Sequence, residues 1–238
     1  CRTAPLRSDR CPAWAARNAM PGEALMDSLR AMREKVLEIT LRAYGEGLFA
    51  GTSGNLSMCD EAKRFVAITP SGIRYETMKA DDIMVIDMNG AIVEGPHKPS
   101  SEWRMHTIIL KRRPDLRAVV HTHSPYATSF AVTGTPVPPI LIEMVGFLGG
   151  DIPVAGFELP GSIELGESAL RSLEHRHACL LSSHGVIAVG QDIDQAFIRA
   201  EYVEDAAKIY SLSLQAGEPR LVPEEAIRAM SAKLGITE

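Results

Sequence analysis

An apolar run that ends in two histidines one residue apart, Val119-Val120-His121-Thr122-His123-Ser124-Pro125, is the tightest constraint on what this chain can become. In an extended strand successive side chains alternate faces, so His121 and His123 point the same way, at a spacing that suits two bonds to one metal ion. Such a strand ends at a site, and a second segment must bring a third ligand to it. Ala178-Cys179-Leu180-Leu181-Ser182-Ser183-His184-Gly185 is the best candidate, another apolar run that stops in a histidine, here followed at once by glycine. Three neutral imidazoles leave a position open on Zn2+, the arrangement of a catalytic centre and not of a closed structural one.

The spacing alone does not decide the matter, because the chain has seven histidines and a second i, i+2 pair, His175 and His177. That pair lies among charges in Leu173-Glu174-His175-Arg176-His177, near the end of an amphipathic segment, where a solvated helix terminus is expected. The pair at 121 and 123 instead sits where a buried strand meets a proline-containing break, a place where ligands are commonly presented. Charge narrows the partners: 25 Lys plus Arg stand against 30 Asp plus Glu with no basic block, which argues against nucleic acid. No membrane partner is expected either. Cys1, Cys11, Cys59 and Cys179 have neither C-x-x-C spacing nor the density of a secreted scaffold, which points to a reduced, cytoplasmic protein.

Residues 1–24, rich in Arg, Ala and Pro but without the apolar core of a signal peptide, are expected to be a disordered or expression-derived leader, with Met20 and Met26 as candidate natural starts. Residues 25–238 suit a single domain. Leu25, Leu29, Met32, Val36, Ile39 and Ala43 recur at steps of four and three, one apolar stripe of a helix that Gly45 and Gly47 end. Gly51-Thr52-Ser53-Gly54-Asn55-Leu56-Ser57 allows close backbone approach to a ligand. Its hydroxyls, amide and N–H groups suit phosphate oxygens without a cationic side chain, although an ordinary turn has the same composition. A strand over residues 64–69 runs into Pro70-Ser71-Gly72, and Asn89-Gly90 joins the two arms of a hairpin over 83–93. In Lys98-Pro99-Ser100-Ser101-Glu102-Trp103-Arg104-Met105-His106 one of the serines caps a helix running to about residue 112. The N-terminus of that helix is a ready anion site and its first turn carries Glu102. His106, at i+4, is expected to meet Glu102 on the same helix face.

Further on, the patterns predict a short helix over 126–133, a strand over 140–142 punctuated by Pro136, Pro138 and Pro139, and a strand over 152–155. A helix over 162–174, a strand over 185–190, a long helix over 194–214 and a last short helix from Pro223 follow. Tyr126 lies just beyond the histidine pair, and Met144, Phe147 and Leu148 suit a core or an interface. Interleaved elements with frequent hairpins argue for an α/β fold whose sheet is not purely parallel.

Thr52-Ser53-Gly54-Asn55, Thr69-Pro70-Ser71-Gly72, Pro99-Ser100-Ser101-Glu102, and His121-Thr122-His123 with Ser183-His184-Gly185 stand in one collinear order. Together they resemble the class II aldolase/adducin family, most closely its L-fuculose-1-phosphate aldolase branch. The resemblance implies a three-layer α/β/α sandwich with a mostly antiparallel central sheet, assembled as a homotetramer with sites at subunit interfaces and one Zn2+ per subunit. It implies that His121, His123 and His184 are the zinc ligands. Glu102 becomes the acid/base and a fourth ligand before substrate binds, and Asn55, Ser71, Gly72, Ser100 and Ser101 hold the substrate phosphate.

The implied reaction cleaves a sugar or deoxysugar ketose 1-phosphate, of the L-fuculose 1-phosphate kind, to dihydroxyacetone phosphate and an aldehyde through a metal-stabilised enediolate. Zinc would act as the Lewis acid, and proton transfer by Glu102 would contribute on the order of 10²- to 10⁴-fold. Two positions depart from the family pattern, both on the aldehyde side. The tyrosine before the glycine-rich stretch is Glu143 here, and residues 221–238 contain no tyrosine. A sugar-phosphate 4-epimerase, a 3-oxo-tetronate phosphate decarboxylase and a methylthioribulose-phosphate dehydratase therefore stay open beside the aldolase. A non-catalytic adducin-like module is the remaining alternative, and it has no use for a metal site with an open position.

Overall fold

The computed structural model describes residues 22–234. Its first helix, α1 (Gly22–Gly45), buries the stripe expected of it: Leu29, Met32, Val36, Ile39 and Ala43 are all in the core, with Leu25 packed at its edge. Because α1 begins at Gly22, the leader boundary expected at residue 24 falls inside a helix, and the rest of that segment, with Cys1, Cys11 and Met20, lies outside the described residues.

Four strands follow as an antiparallel meander: β1 (Asn55–Cys59), β2 (Phe65–Ile68), β3 (Met84–Asp87) and β4 (Ile92–Glu94). The β3–β4 turn is the expected Asn89-Gly90, where Gly90 takes φ +88° and donates its N–H to the Asp87 carbonyl. Next come α2 (Trp103–Arg112), β5 (Ala118–Thr122), α3 (Pro125–Thr133), α4 (Ile142–Leu148), β6 (Val154–Ala155) and α5 (Ile163–Ser172). The chain ends with β7 (Ala178–Leu181), β8 (Gly185–Gly190), α6 (Ile193–Ala216) and α7 (Glu224–Leu234).

All eight strands join one sheet in the order β4-β3-β2-β1-β5-β8-β7-β6. Only β6 and β7 run parallel, so the sheet is mostly antiparallel, as expected. β5 and β8 are buried along their whole length. That is why their sequences are continuous apolar runs and not alternations. Their side chains divide between two cores. Val120 and Val186 face a layer built by α1, α3, α4 and α6, while Val119 and Ile187 face α2 and α5, giving three layers. Each such fully buried side chain contributes about 1.5–3 kcal/mol relative to exposure, so the two central strands are the most firmly held part of the sheet.

One expected element is corrected. Residues 140–142 form no strand; the chain instead turns into α4 at Ile142, with Leu141 at the N-cap. Met144, Val145 and Leu148 are buried at helical spacing, whereas only the isolated Val137–Ile152 bridge represents sheet pairing in this region. Met144 and Leu148 are thus core residues, while Phe147 is exposed and stacks on Tyr202 at 4.1 Å between ring centroids. Among the described residues no helix is long and apolar enough to cross a membrane.

Candidate functional site

Strand register brings the first pieces together. His121 on β5 lies opposite Asn55 of β1 on one side and Ile187 of β8 on the other. One residue past the strand end, His123 is held by its backbone N–H, which donates to the Leu48 carbonyl. His184 comes from the turn between β7 and β8. That turn folds back sharply: Ser183 takes a left-handed φ of +53° and donates its N–H to the Ala131 carbonyl. Gly185 is required by what surrounds it. A Cβ there would lie 2.4 Å from the Thr122 carbonyl oxygen, 3.1 Å from His121 Cε1 and 3.2 Å from His123 Cδ2.

The three imidazoles meet edge to face, with ring centroids 4.8–5.0 Å apart. One nitrogen from each lies within 4.8 Å of the others, a group able to hold a metal ion. His121 Nδ1 is 2.8 Å from the Val186 carbonyl, which can only accept, so Nδ1 carries a proton and Nε2 faces the centre. There Nε2 stands 2.9 Å from His123 Nε2 and 3.1 Å from Glu102 Oε2, while His184 Nε2 stands 3.4 Å from Glu102 Oε1. Burial first, then the neighbouring His121, pushes His123 and His184 down to about 4. Both are therefore neutral near pH 7, and their lone pairs and two carboxylate oxygens converge on one point. Such convergence needs positive charge at its centre, and the donor set suits a divalent cation. Glu102 Oε1, buried without a hydrogen-bond partner, fits the same requirement.

Glu102 is 5% exposed. Burial pushes its carboxyl up, but the neighbouring His121, the Asn55 amide and His184 outweigh it and hold Glu102 below the usual carboxylate range. It occupies the N-cap of α2, one position earlier than the expected first turn, so neither Ser100 nor Ser101 is the cap itself. Ser100 acts upstream instead: its Oγ accepts the Glu102 N–H at 3.2 Å and its carbonyl accepts the Trp103 N–H at 3.1 Å. Two further bonds, Ser71 N–H to the Lys98 carbonyl and Ser100 N–H to the Thr69 carbonyl, draw the 70–72 turn against the start of α2.

A cavity of about 190 Å³ results. Its wall gathers Asn55, Ser71, Gly72, Ser100, Ser101 and Glu102 with His123 and His184, while His121 lies fully buried behind. Among the described residues no lysine or arginine lines it, so an anion there would meet neutral donors and the N-terminus of α2.

Several expectations are corrected. The His106 ring does not bond to Glu102 directly; it is fully buried between Ser57 Oγ at 2.7 Å and Asn55 Oδ1 at 2.5 Å. Asn55 Nδ2 in turn donates to Glu102 Oε2 at 2.9 Å. Sequence reasoning read Ser57 only as part of a phosphate-suited stretch and missed its pairing with His106, although a serine two residues from Asn55 shares its strand face. It also missed Pro160 on the cavity wall. Glu143 and Tyr126 do not line the cavity. Glu143 is exposed on α4, and the Tyr126 backbone N–H is bound by Glu204. His175 and His177 do not end a helix, because α5 stops at Ser172; His175 is exposed and His177 half-buried at the entry to β7.

Residues 34–211 match the family described as Class II Aldolase and Adducin N-terminal domain. A 5-deoxy-D-ribulose 1-phosphate aldolase of Bacillus thuringiensis serovar kurstaki is 37% identical over 205 residues, covering 86% of this chain and 96% of that protein. A 5-methylthioribulose-1-phosphate/5-deoxyribulose-1-phosphate aldolase of Rhodospirillum rubrum is 39% identical over 216 residues, covering 90% of this chain and 93% of that protein. Among solved structures, an L-fuculose 1-phosphate aldolase matches with a TM-score of 0.82 at 39% identity, covering 86% of this chain and 96% of that one.

Proposed function

We propose, from the premise that the chain belongs to the class II aldolase and adducin family, that it is a zinc-dependent aldolase for a deoxyketose 1-phosphate of the 5-deoxyribulose 1-phosphate kind. The products are dihydroxyacetone phosphate and a short aldehyde. The observation that carries this reading is a buried, ionised Glu102 set between an imidazole cluster and a cradle of neutral donors in one small cavity.

His121, His123 and His184 would hold the zinc, with Glu102 beside them as a further oxygen donor. Bound there, the metal would supply Lewis-acid stabilisation of negative charge developing beside the substrate carbonyl, worth several kcal/mol. Asn55, Ser71, Gly72, Ser100 and Ser101 bind the phosphate, supported by the positive end of α2. Because Glu102 begins that same helix, the group that anchors the phosphate also sets the base. In the condensation direction the Glu102 carboxylate takes a proton from the hydroxymethyl carbon of dihydroxyacetone phosphate. In the cleavage direction the C4 hydroxyl gives its proton to solvent as the C3–C4 bond breaks, and Glu102, carrying a proton taken up from solvent, delivers it to C3.

The deoxy preference is supported by the two relatives and by an apolar residue on the cavity wall near His123 and His184. Pro160 is on the cavity wall, and Phe157 and Leu159 of the same loop are 61% and 69% exposed. The exposed apolar side chains of Phe157 and Leu159 also suit the homotetramer with interfacial sites that belongs to this reading. Free Cys59 and Cys179 suit a reduced, cytoplasmic location.

The test compares dihydroxyacetone phosphate release from 5-deoxyribulose 1-phosphate and L-fuculose 1-phosphate by zinc-loaded protein, with and without chelator. Release should be faster from the deoxypentulose, stop with chelator, and fall on the order of 10²- to 10⁴-fold in Glu102→Gln. Release indifferent to chelator or to the Gln variant, or none from either substrate, would sink the proposal.

A further inference from the structure

We propose that His106 is a positioning residue that fixes the Asn55 amide, so that its N–H groups and not its oxygen face Glu102 and the cavity. Its own ring stays off the cavity wall. It is fully buried on α2, one turn past Glu102, and spans from Ser57 on β1 to Asn55 on the same strand face.

The proton positions follow from what each atom can do. A carboxylate oxygen only accepts, so the Asn55 atom 2.9 Å from Glu102 Oε2 must be Nδ2. Asn55 Oδ1 then faces the imidazole, so Nε2 of His106 must carry a proton and donate it across 2.5 Å. Nδ1 is left as an acceptor and takes the Ser57 hydroxyl proton at 2.7 Å. Each atom bridging Ser57, His106, Asn55 and Glu102 Oε2 then has a partner of the right kind. The opposite tautomer, with Nδ1–H toward Ser57, leaves a lone pair on Nε2 and turns the amide over. Asn55 oxygen would then abut the Glu102 carboxylate, two acceptors in contact with nothing between them, which is costly in a buried site. Burial, the largest cause, lowers His106 to about 3, so the ring is neutral and its tautomer is the variable that counts.

The amide has a second N–H. With Nδ2 toward Glu102, that hydrogen is free for an anion in the cavity that Asn55 lines. With the amide reversed, an oxygen would be presented to the phosphate instead. The Ser57–His106 pair therefore decides whether Asn55 attracts or repels the substrate anion, and whether Glu102 keeps a partner. The effect on turnover rests on the aldolase reading; the tautomer and the phosphate affinity do not.

The tautomer is read by two-bond 1H–15N correlation of 15N-histidine protein, metal-free and zinc-loaded, with the His106 signals assigned by their loss in His106→Gln. A neutral Nε2–H ring is expected, becoming a tautomer mixture in Ser57→Ala. An Nδ1–H ring or an imidazolium at neutral pH overturns the proposal. Inorganic phosphate binding to the metal-free protein should weaken by the same factor in His106→Leu as in Asn55→Ala, and unequal losses count against it.

In turnover, His106→Leu should lose about 10–100-fold in kcat/KM, with a raised KM and unchanged zinc content. His106→Gln, whose amide nitrogen can take the place of Nε2, should recover most of that loss. The Asn55→Ala/His106→Leu double variant should be no worse than the worse single one. A wild-type-like Leu variant, a folded Gln variant as poor as Leu, or full additivity overturns the assignment. Absence of turnover with the expected tautomer and phosphate losses instead overturns only the aldolase reading.

Discussion

Gly185→Ala is the sharpest probe of how the site depends on the sheet. The added Cβ would stand 2.4 Å from the Thr122 carbonyl oxygen. Close C–H···O contacts settle at about 3.3–3.6 Å, so β5 and β8 would have to part locally by roughly 1 Å. A ladder hydrogen bond stretched that far is broken. The backbone cannot yield cheaply, because both strands are central and buried on both faces. Moving the side chains is the other route, but the nearest ones are the His121 and His123 rings at 3.1 and 3.2 Å. Overpacking of this kind costs about 1–3 kcal/mol, and a chain of this size loses roughly 2–4 °C of melting temperature per kcal/mol. Displaced ligands should also cost about 10–100-fold in metal affinity. The assay is a thermal melt of the metal-free protein beside a zinc titration against a chromophoric chelator. Zinc affinity within twofold of wild type and an unchanged melting temperature would refute the reasoning.

Three further outcomes are expected. His177 is lowered to about 4, by burial first and then by Arg199 and Arg113, while in the unfolded chain it titrates near 6.5. Between those values the unfolded state binds more protons, so stability falls as pH drops from about 6.5 to about 4. His177→Phe should flatten that fall by at most about 1.4 kcal/mol per pH unit, and partial exposure of the ring keeps it below that bound; urea melts at stepped pH with an unchanged slope would contradict this. Glu204 accepts the Tyr126 and Ala127 N–H groups at 3.0 and 2.9 Å, replacing the side-chain cap that Ser124 does not provide. Glu204→Ala should therefore destabilise by about 0.5–2 kcal/mol, measured as a lower melting temperature. Hydrogen exchange should be slowest at the amides of Val120 and Ile187 and faster in the 52–54 and 71–72 turns; equal rates would show that the site loops are held as firmly as the sheet.

What the sequence made legible was periodic or chemically specific. The α1 stripe, the Asn89-Gly90 turn and the paired runs ending in His121 and His184 each carry their signal within a few residues. The 140–142 segment failed because three apolar residues after prolines fit either period, and burial of Met144, Val145 and Leu148 chose the helical one. Glu102 was misplaced by one position because Ser100 supports the helix start from two residues upstream and is not the cap itself. The role of His106 was hidden for a different reason. Spacing on a helix names neighbours on that helix, whereas the partners of His106 lie on β1, 49 and 51 residues earlier in the chain. A polar Asn55-x-Ser57 face in a buried strand was the available hint, and it acquires meaning only once β1 and α2 are known to touch.

The same geometry explains why a site made largely of turns can be rigid. Asn55 and His121 are register partners, so their separation is set by the spacing of adjacent strands, about 4.7–4.9 Å, and not by loop conformation. His184 hangs from the turn that joins β7 to β8, and Gly185 lets that turn close directly onto the His121 and His123 rings. Glu102 is then tied to this frame twice, through Asn55 and through His121. Ser71 and Ser100 are bound more locally, by their N–H groups to the Lys98 and Thr69 carbonyls, which hold the 70–72 turn against the start of α2. The catalytic half of the cavity is therefore set by the central strands, and the half that grips the anion by a turn held against the start of α2.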